Sequence, residues 1–170
     1  MRALYLLSVW LHILAVTVWL GGMVFLTLVL VPLTRQPEYR EMATPLISWT
    51  GRRFRWIGWI CLGLILLTGV FNLASRGVGW EVLGNVQFWR GPFGHALGIK
   101  LFLVLVILVL SIAHDFFIGP RATALGKEKS PADPEVERVR RQASWIGRLN
   151  LVLALIIIAL GVVLVRGAPW

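Results

Sequence analysis

Four long apolar stretches, separated by polar segments, dominate the pattern of the chain. Each is long enough to cross the hydrocarbon core of a bilayer as an α-helix, which takes about 20 residues. The stretches cover approximately residues 3–31, 55–73, 95–118 and 145–165. A helix satisfies its own backbone hydrogen bonds in lipid, so the pattern predicts an all-α fold. We expect an integral membrane four-helix bundle that forms a single transmembrane domain over residues 1–170.

Composition agrees with a membrane-embedded chain. Hydrophobic residues make up 58% of the sequence and charged residues only 15%, whereas soluble domains carry about 25% charged residues. The lipid bilayer of the cell membrane is therefore the expected partner. The net charge of +9 would suggest nucleic acid in a soluble protein. Here the basic residues lie between the apolar stretches, so no nucleic-acid partner is expected.

The loops differ strongly in basic residues. Five Lys or Arg residues lie within 32–55 and seven within 119–148, but only two lie within 74–94. Cytoplasmic loops of membrane proteins carry an excess of Lys and Arg. The distribution predicts a multi-pass protein with its first and third loops in the cytoplasm and both termini outside.

His12 is the first candidate for chemistry, because it lies inside the first apolar stretch. A titratable group in a membrane helix is costly, so it usually faces a partner or a cofactor. Helical spacing places Trp19 on the same side as His12. Gly22 follows, where another helix or a flat ligand could approach the backbone closely. The structural alternative is a core imidazole that is hydrogen-bonded to a neighbouring helix.

The third apolar stretch carries the other polar candidates. Lys100 lies just inside it, and His95 lies at its outer end. Lys100 either contributes to a cofactor site or extends its amine to the membrane interface. His95 is most simply solvated, and it is the alternative metal ligand to Lys100. His114 and Asp115, near the inner end, are expected to form a hydrogen-bonded pair.

A weak internal repeat relates the two halves of the chain. A shift of 88 residues superposes Pro32 on Pro120 and His12 on Lys100. The two helical hairpins would then be parallel copies, related by an axis along the membrane normal. In that arrangement His12 and Lys100 occupy equivalent depths, where they could hold one planar cofactor from both faces.

Two short motifs resemble known membrane-protein families. Residues 11–12 (Leu-His), followed by residues 19–22 (Trp-Leu-Gly-Gly) and Pro32, resemble the first helix of CopD-like copper-resistance proteins. Residues 98–101 (Gly-Ile-Lys-Leu), followed by an aliphatic run to His114, resemble the third helix of HemJ-type protoporphyrinogen oxidases. The two families look related, since both contain a four-helix unit.

The HemJ-type resemblance implies a haem b site. By that resemblance His12 and Lys100 would be the iron ligands. The positions of the residues themselves make His95 the alternative to Lys100 and place Trp19 and Gly22 where they could line such a cofactor. Arg52 is first an anchor that sets topology and second a contact for anionic lipid or haem propionates. The resemblance also implies a redox role, either electron transfer or oxidation of a porphyrinogen- or quinol-type substrate, and whether the chain is an enzyme stays open.

The CopD-like resemblance implies copper handling or transport instead. Copper(I) prefers clusters of Met, Cys and His, and the chain contains no CxxC, MxxM or HxH motif. Met23 lies about 16 Å from His12 along an ideal helix. The ligand supply therefore favours haem b as the main interpretation and copper as the alternative. A quinone or respiratory-chain partner and a homo-oligomer are further expectations.

Overall fold

The computed structural model describes residues 2–130 and 133–166, which are predominantly α-helical. The α-helices of four residues or more in this part of the chain are α1 (Arg2–Phe25), α2 (Arg40–Ala74), α3 (Trp80–Leu83), α4 (Val86–Arg90), α5 (Pro92–Ile112), α6 (Gly119–Glu128) and α7 (Pro134–Arg166). The shorter elements are two π-helical segments, an α-helical turn and a 3₁₀ turn: Leu26–Leu30, Ala113–Ile118, Val31–Leu33 and Pro37–Tyr39.

Four helical spans are long and apolar enough to cross a membrane. They are Arg2–Leu33, Glu41–Ala74, Pro92–Glu128 and Pro134–Arg166. Many large apolar side chains on these spans are exposed on the isolated chain, as expected of surfaces that contact lipid tails. The predicted all-α membrane bundle of four helices is therefore confirmed.

The second and fourth spans begin further upstream than the apolar pattern indicated. Helix α2 begins at Arg40 and not near residue 55, and α7 begins at Pro134 and not near residue 145. Arg and Glu are good helix formers, so the hydrogen-bonded ladder continues through the basic segments. Long basic side chains at helix ends characteristically lie along apolar surface with their charges in water. Hydropathy thus detects the part of a helix that contacts lipid and misses its polar extension.

Each π-helical segment ends two residues before a proline. Leu26–Leu30 precedes Pro32, and Ala113–Ile118 precedes Pro120. A proline has no N–H, and its ring clashes with the carbonyl four residues earlier. A wider turn relieves this clash while most backbone groups stay bonded. The first and third spans therefore contain the same arrangement of a π-helical segment followed by a proline, and the two prolines are 88 residues apart. This similarity supports the predicted repeat.

The chain divides into two compact units. The terminal unit comprises 1–19, 57–104 and 155–170, and the loop unit comprises 20–56 and 105–154. Each contains a portion of all four spans. The single transmembrane domain over the whole chain stays a prediction, and each unit is described by itself.

The terminal unit packs around close helix contacts. The buried Trp19 ring lies on Gly58 of α2, where an added Cβ would be 3.7 Å from a ring carbon. Between α2 and α5, the indole N–H of Trp89 donates to the Leu83 carbonyl at 2.9 Å. Gly94 lies against the backbone of Phe88. These contacts tie the α3–α4 segment to the start of α5.

The loop unit contains its own polar contacts. Asn150 donates to the Ser111 hydroxyl at 3.2 Å, and both residues are buried. The predicted pair of His114 and Asp115 is confirmed, with 2.9 Å between Nδ1 and Oδ1.

The connection between α6 and α7 is held by exposed ion pairs. Lys129 donates a hydrogen bond to Glu135, which raises the pKa of the Lys129 amine. Arg121 bonds to the same carboxylate at 3.2 Å. Exposed pairs of this kind contribute little stability, and here they link Glu135 of α7 to Arg121 of α6 and to Lys129.

Candidate site around His12

His12 on α1 faces α2. Its Nδ1 lies 2.8 Å from the hydroxyl oxygen of Thr68, a buried residue. The neighbouring Gly69 has no side chain, so the imidazole packs against the helix backbone. A Cβ added there would be 3.6 Å from Cε1 of His12. A titratable side chain is thus held by one hydroxyl and one glycine of the adjacent helix.

The hydrogen bonds of Thr68 favour one tautomer of His12. The Thr68 hydroxyl lies 2.5 Å from the Leu64 carbonyl and 3.4 Å from the Ile65 carbonyl, and a carbonyl can only accept its one hydrogen. With that hydrogen on a carbonyl, the hydroxyl oxygen accepts from Nδ1 of His12, and Nε2 of the neutral ring keeps its lone pair.

Lys100 belongs to the same unit as His12. Its Nζ lies 3.5 Å from where a Cβ on Gly161 of α7 would be, so a glycine of the neighbouring helix makes room for it too. The side chain is half-buried. It lies within electrostatic range of both His12 and Arg76. Among residues 2–130 and 133–166, no carboxylate forms an ion pair with it.

In both helical hairpins of the terminal unit, the titratable side chain lies beside a glycine of the neighbouring helix. His12 on α1 lies beside Gly69 of α2, and Lys100 on α5 lies beside Gly161 of α7. In each pair the titratable residue is on the first helix of a hairpin and the glycine on the second. This parallel supports equivalent depths for His12 and Lys100, as the repeat predicts.

The other predicted site residues are more dispersed. His95 is exposed at the start of α5, and five residues of helix separate it from Lys100, so the two point to different sides. Trp19 is in the terminal unit, buried against Gly58.

Gly22 and Arg52 belong to the loop unit. The ring of Phe54 fills the space beside Gly22, with a ring carbon 2.2 Å from an added Cβ. The close approach predicted at this glycine is thus made by a side chain of α2. Arg52 is exposed.

Sequence reasoning identified Gly69 as suited to a close helix contact, but it missed Thr68 and Gly161 and did not place Gly69 beside His12. All three residues interrupt an apolar run, and small or hydroxyl residues in membrane helices mark helix contacts. That signal was present in the sequence, but it does not say which helix supplies the partner.

The described residues offer no ready-made cluster for a tightly held metal. Across residues 2–130 and 133–166, no three His, Cys, Asp or Glu side chains come together. Cys61 of the terminal unit is buried and free. It precedes Thr68 by seven residues, about 10 Å along α2, so it cannot share one ion with His12.

Comparison with known proteins identifies the family. Residues 49–164 match the family model described as "Copper resistance protein D". An uncharacterised protein of Aquifex aeolicus (strain VF5) is 33% identical over 158 residues, covering 92% of this chain and 92% of that protein. No solved structure matches the chain. The chain therefore belongs to the copper resistance protein D family of copper-related membrane proteins.

Proposed function

We propose that this chain handles copper inside the membrane and that Nε2 of His12 is the donor that binds it. The supporting observation is the hydrogen-bond chain from His12 through Thr68 to the Leu64 carbonyl. It orients the imidazole and leaves the lone pair at Nε2, as partners of metal-binding histidines commonly do. Imidazole is a good ligand for copper. We choose copper as the metal because the description of the matching family names it.

A single protein nitrogen suits passage of copper better than storage. Proteins hold copper tightly with several soft donors at one point, and no such group exists among the described residues. Copper bound by His12 would complete its coordination with a ligand that it carries or meets, and it would exchange readily. Copper is therefore cargo in this proposal and not a permanent part of the protein.

The purified protein should bind copper and lack a haem spectrum. We expect a copper(I) titration in detergent under anaerobic, reducing conditions to show about one readily exchanging site per chain by competition with a chromogenic chelator, because Nε2 of His12 is the one proposed donor. The same preparation should give no Soret band and no pyridine haemochrome. A b-type haemochrome near one per chain or per dimer, with no competition for copper, would reverse the proposal.

Haem b is the second candidate, and His12 with Lys100 is the observation that favours it. A neutral Lys100 amine could ligate iron together with His12, since both side chains lie in the terminal unit, each beside a glycine of a neighbouring helix. Haem would supply one-electron chemistry. The family match supports copper and not haem. Copper therefore ranks first, which reverses the order that ligand supply favoured. A quinone partner and a homo-oligomer stay predictions.

We infer that the protein lies in the cell membrane with both termini outside. The support is the excess of basic residues, twelve in the first and third loops against two in the second. A reporter that is active only outside the cytoplasm should work after Arg90 and fail after Lys129. A cytoplasmic reporter should behave in the opposite way. The inverse pattern at both positions would place the termini inside.

A further inference from the structure

Two hydrogen-bonded pairs cross between α1 and the α2 region within the terminal unit. One is His12 with Thr68, at 2.8 Å. The other is Arg76, just beyond α2, which donates to the Tyr5 hydroxyl at 3.4 Å. Arg76 follows Thr68 by eight residues, the first six of which are in α2 and extend about 9 Å. The two pairs bracket a short length of the contact between α1 and α2, nearer to the chain termini than His12.

Two more polar side chains lie between these pairs. Ser8 is one helical turn from His12 on α1, and Asn72 is one turn from Thr68 on α2. Spacings of four residues keep each on the same side of its helix as its neighbour. Ser8 is 8% exposed. The Ser8 hydroxyl oxygen and Asn72 Oδ1 are both buried, and among the described residues neither has a hydrogen-bond partner.

Two unpaired oxygens at matching levels of α1 and α2 require an explanation. A buried polar group without a partner is costly, and in native structures such groups are usually bonded to ordered water. A groove of about 250 Å³ borders Ser8 and Thr68 but not Asn72, and the rest of its lining is apolar. Water at this level would therefore be held by the polar oxygens and not by the groove.

We propose that water occupies the gap between Ser8 and Asn72 and joins the two bracketing pairs into one hydrogen-bonded path. The path runs from Arg76 and Tyr5, through the water, to Thr68 and His12. It brings water to the Nδ1 side of the imidazole from the membrane surface nearest the chain termini. The inference goes beyond copper handling, because hydration of this path does not depend on whether Nε2 of His12 binds a metal.

The charges along the path make it a route for water and not for metal cations. Arg76 stands at its surface end, and Lys100 lies within electrostatic range of both Arg76 and His12. A guanidinium at the mouth of a narrow polar route repels cations but passes neutral water. Copper would accordingly reach Nε2 of His12 from another side.

Water contact with His12 can be measured directly. The chain has three histidines, so selective labelling with ¹⁵N,¹³C-histidine gives few signals in lipid bilayers, and His12→Gln identifies the one that matters. In water-edited solid-state NMR we expect the His12 signal to build up rapidly from water. Asn72→Leu combined with Ser8→Ala should slow this build-up several-fold, because both water-binding oxygens are removed.

The control is Thr17→Val. Thr17 is on the same helix, but its hydroxyl is exposed and bonded to the Ile13 carbonyl at 2.9 Å, so the His12 build-up should not change. Ser8→Ala alone gives a second measurement that can be made even if the double variant folds poorly. If water bonds to Ser8, the single variant should have the same melting temperature as the unmodified protein or a lower one. If the hydroxyl is dry and unpaired, alanine should raise the melting temperature. Slow build-up in the unmodified protein, or a rate that the double variant leaves unchanged, would overturn the proposal.

Discussion

His12→Ala should abolish the copper(I) binding that the unmodified protein shows in chelator competition. The imidazole Nε2 is the proposed donor, and alanine leaves no ligand in its place. Thr68→Val should keep the site but weaken it by about 10–100-fold, the range seen when a partner that orients a metal-binding histidine is removed. Valine has nearly the shape of threonine but cannot accept the Nδ1 hydrogen. The hydrogen bond then no longer constrains the orientation or the tautomer of the His12 ring.

His95→Ala is the matched control for these two variants. It removes the same type of side chain from the same unit, but from an exposed position at the start of α5. Copper affinity should therefore stay within the error of the unmodified protein. If His12→Ala binds copper as tightly as before, His12 is not the donor. If Thr68→Val has no effect, the hydrogen bond does not prepare the imidazole for metal.

Gly94→Ala should be strongly destabilising. An added Cβ would lie 2.0 Å from the carbonyl oxygen of Phe88 and 2.7 Å from its carbonyl carbon. These are backbone atoms, so no side-chain rotation relieves the overlap, and the turn between α4 and α5 must open. Overpacking of this kind costs about 1–3 kcal/mol and sometimes more. We expect a lower melting temperature in detergent and loss of the Trp89 hydrogen bond to Leu83.

The appropriate comparison is Gly63→Ala on α2, where an added Cβ would meet nothing within 4 Å. Alanine there should be neutral or stabilising by up to about 1 kcal/mol, because glycine is the poorer helix former. Equal melting temperatures for the two variants would contradict the close packing at Gly94.

The spans could be predicted from the sequence because lipid imposes a simple demand on every residue that contacts it. Their ends could not, since α2 and α7 continue as helices through segments rich in arginine. At those ends the helical backbone hydrogen bonds continue beyond the residues that must be apolar to contact lipid. Hydropathy therefore locates the part of the chain that lies in the bilayer better than it locates the ends of the helices.

The candidate site was predictable only in part. The cost of burying an imidazole indicated that His12 must face a partner, and Thr68 is that partner. The identity of the partner depends on how α1 is rotated against α2, which a single sequence does not contain. Gly69 was predicted to suit a close helix contact, but its partner was not, and Gly161 was hidden, since a glycine in an apolar run looks the same whether it faces lipid or a lysine. The choice between copper and haem could not come from counting ligands alone, and the family match now favours copper.

The π-helical segments before Pro32 and Pro120 separate the two ends of the helices that contain them. A π-helical turn amounts to an α-helix with one extra residue, and one residue rotates everything beyond it by about 100°. The residues that follow Leu30 and Ile118 therefore present faces that are rotated by about 100° from those of an uninterrupted α-helix. In each span the apolar stripe that the sequence spacing predicts has to be counted anew after the π-helical segment.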